Sequence, residues 1–91
     1  MADIDIERNH KLGLQELRRR LGTLEEKLQE RYGAKVQWRG DEADIKGPGF
    51  NGTLHLAEDR VAVALKLNFV MRPLAGKIRE AMEKQVDKAL A

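Results

Sequence analysis

Apolar and polar positions alternate most strictly between Arg60 and Phe69. Val61, Val63, Leu65, Leu67 and Phe69 fall on one side of an extended chain, and Arg60, Ala62, Ala64, Lys66 and Asn68 on the other. The pattern predicts a strand of about ten residues, spanning roughly 33 Å, as the backbone of a sheet. The period then changes. Pro73 stands where a first helical turn tolerates proline, and Leu74, Ile78, Met82, Val86 and Leu90 recur every fourth residue, predicting an amphipathic C-terminal helix.

Upstream, Ala2 to Glu7 alternates with Ile4 and Ile6 on one face and acids on the other, which predicts a short strand. Asn9 and His10 serve as a connector. Leu14, Leu17, Leu21, Leu24 and Leu28 mark a helix over 14–32, with Gly33 as its left-handed C-terminal residue. Val36 and Trp38 place a strand over 35–39, Ala43 and Ile45 a weaker one, and Leu54 and Leu56 a strand over 51–57 with a bulge expected near Asn51-Gly52. The turns fall at Gly40-Asp41, Gly47-Pro48-Gly49 and Glu58-Asp59.

The element order is therefore β-α-β-β-β-β-α. One helical crossover makes the first two strands parallel in direction, and the hairpins that follow alternate, so the last strand opposes the first and can pair with it. The expected fold is α+β in a single domain spanning 1–91: a five-stranded antiparallel sheet of order 1-5-4-3-2 with both helices on one face. The other face is left to polar side chains, with Ala62 and Ala64 as small residues where another chain can approach. On the C-terminal helix, fourth neighbours drift by about 40° per step. Leu74, Ile78 and Met82 are accordingly expected to face the sheet, with Val86 and Leu90 turning outward as an interaction surface.

Composition narrows the chemistry. A chain of 91 residues has a small core, so a homodimer is expected to add buried surface. No run of apolar residues is long enough to span a bilayer, and the start of the chain lacks the pattern of a secretory signal, so the expected location is cytoplasmic. Cysteine and serine are both missing, which removes thiolate ligands and cysteine or serine nucleophiles. The formal net charge of +2 reflects 17 basic against 15 acidic side chains, so charge has to be judged locally.

Candidate sites are few. His10 and His55 are expected to be exposed, without convergent carboxylates, and no acid pair marks general acid/base chemistry. Arg18, Arg19 and Arg20 fan around their helix with Glu25, Glu26 and Glu30 nearby, and Trp38, Phe50 and Phe69 sit at core parity. Neither feature makes a nucleic-acid platform. The glycine-rich stretch 47–52 precedes a strand and lacks the lysine and helix start of a phosphate loop. No catalytic residue, cofactor or metal is expected.

The stretches IDIERNHKL, ERYGAKVQWRGDEADI and GFNGTLHLAEDRVAVALKLNFVMRPLAGKIREAMEKQVDKALA together resemble the small bacterial polyhydroxyalkanoic acid system proteins, also described as polyhydroxyalkanoate granule-region proteins. The most specific parts are the apolar strand running into a proline-marked helix, 65–78, and the Tyr32-Gly33 helix exit. The strand around Ala43 to Lys46 is less apolar than the family pattern. The resemblance implies a link to storage polyester metabolism and carries no catalytic residue across.

Two functions fit the chain. One is a non-catalytic accessory protein of polyhydroxyalkanoate granules that binds an apolar granule surface or a granule-associated protein. The alternative is a small carrier or sensor of an acyl or other hydrophobic ligand, held between sheet and C-terminal helix near Trp38, Phe69, Ile78 and Met82, by analogy with helix-grip folds.

Overall fold

The computed structural model describes residues 2–91. Its elements are β1 (Ile4–Asn9), α1 (Leu14–Tyr32), β2 (Lys35–Arg39), β3 (Glu42–Gly47), β4 (Phe50–Leu56), β5 (Arg60–Leu67), a 3₁₀ turn (Arg72–Leu74) and α2 (Ala75–Leu90). The strands form an antiparallel sheet of order β1-β5-β4-β3-β2, as the alternation and crossover predict.

The register explains why β5 is central. Ile4, Leu65, Gly52, Ile45 and Val36 form one row across the sheet, and Ile6, Val63, Leu54, Ala43 and Trp38 the next. Both rows face the helices and supply most of the sheet's contribution to the core. Leu17, Leu21, Leu24 and Leu28 bring α1 down on this face, and all four are buried. Gly33 closes α1 in the left-handed conformation: its N–H donates to the Gln29 carbonyl, and the Ala34 N–H to that of Leu28.

Several expectations need correction. The pairing of Asn51 and Gly52 is regular on both sides, with no bulge. Glycine is required at 52 because a Cβ there would lie 2.2 Å from the Ala64 carbonyl oxygen and 2.5 Å from Leu65 Cδ2. β1 runs two residues further than expected, so Arg8 joins the helix-facing side. Its guanidinium reaches Glu83 and Asp87 on α2, both at 2.9 Å.

α2 meets the core through Met82 as expected, but Val86 and Leu74 exchange the roles expected of them. Val86 is 0% exposed and Met82 is buried, whereas Leu74 is 45% exposed and Ile78 and Leu90 are half-buried. Arg8 ties the C-terminal half of α2 to β1, and Arg20 Nη1 donates to the Ala89 carbonyl at 3.2 Å, joining it to α1. The helix start swings outward behind the 3₁₀ turn, so the row that faces the core begins one turn later.

His10 is buried, not exposed, with 8% of its surface accessible. The Leu12 N–H donates to Nδ1, so Nε2 carries the proton and donates to the Ala57 carbonyl, each at 3.1 Å. The ring thereby joins the β1–α1 connection to the β4–β5 turn. His10→Ala is expected to strand both partners and lower stability by about 1–3 kcal/mol in urea unfolding, whereas His55→Ala on the open face is expected to change it little.

Candidate surface-binding site

The alternation of β5 stops at Leu67 because pairing stops there. The Leu67 N–H donates to Asp3 Oδ2 at 2.7 Å, and the Asn68 N–H to the Gly49 carbonyl at 2.8 Å. The Asn68 carbonyl then accepts from Met71, closing a β-turn whose two central residues are Phe69 and Val70. Asn68 Oδ1 accepts the same Met71 N–H at 2.9 Å, an arrangement for which asparagine suits the first turn position. Met71 lies across Gly49, and its carbonyl accepts from Leu74.

Turn corners point into solvent, and here they carry large apolar side chains. Phe69 is 85% exposed and Val70 74%, with Leu74 beside them. Phe69 therefore lies outside the core that the strand parity assigned to it. Tyr32 is partly exposed at the same end of the molecule, edge-on to Phe50 with ring centroids 6.5 Å apart. This apolar tip is the group of exposed large hydrophobic side chains among the described residues.

The other candidate residues disperse. Trp38 lies under α1, its indole N–H donating to Glu25 Oε2 at 3.2 Å and the Arg18 guanidinium 4.6 Å from its ring centroid. Met82 and Val86 fill the space below α2, and Ile78 sits at its margin. Trp38 and Ile78 thus pack against the core cluster that contains Met82, and Phe69 lies outside it. Ala62 and Ala64 are half-buried and, with Asp5, Glu7 and His55, border a shallow hollow on the open sheet face.

The arginine run is also engaged, by a different acid from those expected. Arg19 and Arg20 both hydrogen-bond Glu16 and hold the pKa of its carboxyl down at about 2, below the usual carboxylate range, while Arg18 stacks on Trp38. No helix among the described residues is long and apolar enough to cross a membrane.

The sequence signal for the tip is Asn68 followed by Phe-Val ahead of Arg-Pro. Asparagine opens turns and proline limits the strand, so the alternation ends before Phe69. No curated protein and no solved structure matches the chain. A match does come from a family model, described as "Putative polyhydroxyalkanoic acid system protein", which takes in β1 through α2 over residues 4–90 and so includes the whole sheet and the tip; the chain belongs to that family.

Proposed function

We propose that this chain is a non-catalytic accessory protein of polyhydroxyalkanoate storage granules, and that it attaches to the granule's apolar surface through Phe69, Val70 and Leu74. The exposure of Phe69 and Val70 at the corner of a turn held by Asn68, with Leu74 exposed in the 3₁₀ turn that follows, carries the reading. The turn's hydrogen bonds hold the backbone that carries Phe69 and Val70 before contact, so no segment has to fold on binding. Family membership supplies the polyester context. The same tip is available to a granule-associated protein, and the protein is then cytoplasmic with a granule-bound fraction. A ligand between sheet and α2 has less support, because Met82 and Val86 fill that space.

The test uses purified protein and washed polyester particles. Burying a phenylalanine and a valine contributes about 1.5–3 kcal/mol each, so Phe69→Ser with Val70→Ser is expected to weaken particle binding on the order of a hundredfold or more. Its melting temperature should stay near that of the parent, since neither residue is part of the core. Equal binding by parent and double variant would remove the tip from the account.

A homodimer across the open sheet face belongs to the same reading, with Thr53 and His55 of β4 at its centre and the hollow at Ala62 and Ala64 beside them. A two-fold axis along β4 lays β1 over β2, so that Glu7 opposes Arg39 and Asp5 opposes Gln37, and both tips point the same way. Sedimentation at micromolar concentration should then give twice the 10.3 kDa chain mass, and Ala64→Arg should return it to a single chain. A parent that sediments only as the single chain contradicts the pairing.

A further inference from the structure

Charge is distributed unevenly along the strands. At the end that carries the tip, the last outward-facing row of the sheet is Lys66, Asn51, Lys46 and Lys35. Its three lysines are exposed, and among the described residues none has a carboxylate within 4 Å. Neighbouring strands lie about 4.8 Å apart, so the row extends the cationic surface roughly 15 Å from Lys66 to Lys35. Arg72, inside the 3₁₀ turn, and Lys77, in the first turn of α2, follow the tip closely in the chain and are exposed. Asp3 is the acid of this sheet end, 3.9 Å from Arg72, while Glu30 and Glu80 sit further back on the helices. At the opposite end the two turns hold Asp41, Glu42, Glu58 and Asp59, and the flanking Arg39 and Arg60 are paired with Asp44 and Glu7.

An apolar tip inside a cationic collar, with acidic turns at the far end, fits a surface that is apolar below and anionic above. Bare polyester supplies only the first property. We infer that the protein docks on an anionic phospholipid layer, inserting Phe69 and Val70 between the acyl chains while Lys35, Lys46, Lys66, Arg72 and Lys77 meet the headgroup phosphates. This rests on the reading of the tip as the attachment site and specifies the chemistry it meets. Polarity orients the approach: the anionic surface attracts the collar and repels the acidic turns, so the tip arrives first.

Vesicle flotation with the full chain tests this, using phosphatidylcholine alone and phosphatidylcholine with phosphatidylglycerol as the minor component. Binding is expected only to the mixed vesicles and is expected to fall as salt is raised. Each lysine facing such a surface is worth about a fivefold change in affinity, so Lys35→Gln, Lys46→Gln and Lys66→Gln together should weaken binding on the order of a hundredfold. Phe69→Ser with Val70→Ser should abolish flotation on the same vesicles. All five positions are exposed, and a circular dichroism melt confirms that each variant is folded. Bare polyester particles separate the two levels of the account. If parent and lysine variant bind polyester equally and neither floats with mixed vesicles, the lipid inference is overturned and the granule reading stands. If the parent binds neither surface, both are overturned. Equal flotation of parent and lysine variant also overturns the inference.

Discussion

Val86→Asp is expected to remove a large part of the protein's stability. Val86 is 0% exposed, between the sheet and α1, and the carboxylates that share its side of α2, Glu83 and Asp87, are already committed to Arg8. An aspartate there adds a third negative charge beside Glu83 and Asp87, with Arg8 already shared between those two. Losing the valine contacts and burying an unpaired charge should together cost about 4 kcal/mol or more, against a total of about 5–15 kcal/mol for a domain of this kind. Protonation of the new carboxyl would recover only part of this, because the cavity remains. Lys84→Gln, two residues away and exposed, should cost no more than about 0.5 kcal/mol. Far-ultraviolet circular dichroism of the two variants is the check. A native spectrum and melt for Val86→Asp would mean that the outward face of α2 is the one first inferred from its periodicity.

Gly52→Val should have the second largest effect, at about 3 kcal/mol or more. The position is in the middle of β4, with β3 on one side and β5 on the other, so the backbone cannot move away from the added group. Its first carbon would sit 2.2 Å from the Ala64 carbonyl oxygen, inside the distance that any pair of such atoms tolerates. Leu65 is the second obstacle, and it is a side chain. In Leu65→Ala, which alone should cost about 2–5 kcal/mol, Gly52→Ala is therefore expected to add less than it does in the parent. The remainder, due to the Ala64 backbone, should persist. Additive costs in chemical denaturation of the two single variants and the double variant would show that Leu65 does not occupy the space above Gly52.

What could be read from the residues was whatever depends on a repeating period. Val61 to Leu67 alternate because β5 is flanked by β1 and β4 and covered on one face, and that burial forces a two-residue repeat. The leucines of α1 and the glycine at its end carry their own geometry in the same way. What failed depended on contacts between residues far apart in the chain. Phe69 keeps the parity of β5, and its exposure follows from Asp3 taking the Leu67 N–H and Asn68 opening a turn. The row from Leu74 to Leu90 fixes that α2 is amphipathic but, because it winds round the axis, leaves open which of its members face the core. Arg8, on β1, settles the rotation through Glu83 and Asp87. His10 gives no local sign of burial, since its two partners are the Leu12 N–H and the distant Ala57 carbonyl.

The candidate site was legible as ingredients and not as a place. Ala62 and Ala64 do lie on the open face, but Trp38, Ile78 and Met82 are held in separate parts of the core and its margin. A sequence pattern reports which residues are apolar, and the tip consists of apolar residues that the fold leaves outside. Only the strand's end point distinguishes Phe69 from Leu67.

The most direct measurement of the attachment reading is fractionation of polyester-accumulating cells that produce either the parent or the Phe69→Ser, Val70→Ser variant at matched levels. The account predicts that the parent floats with the granules and the variant stays in the soluble fraction, with both melting at the same temperature in purified form. A parent found wholly in the soluble fraction, or a variant that floats as the parent does, would contradict it.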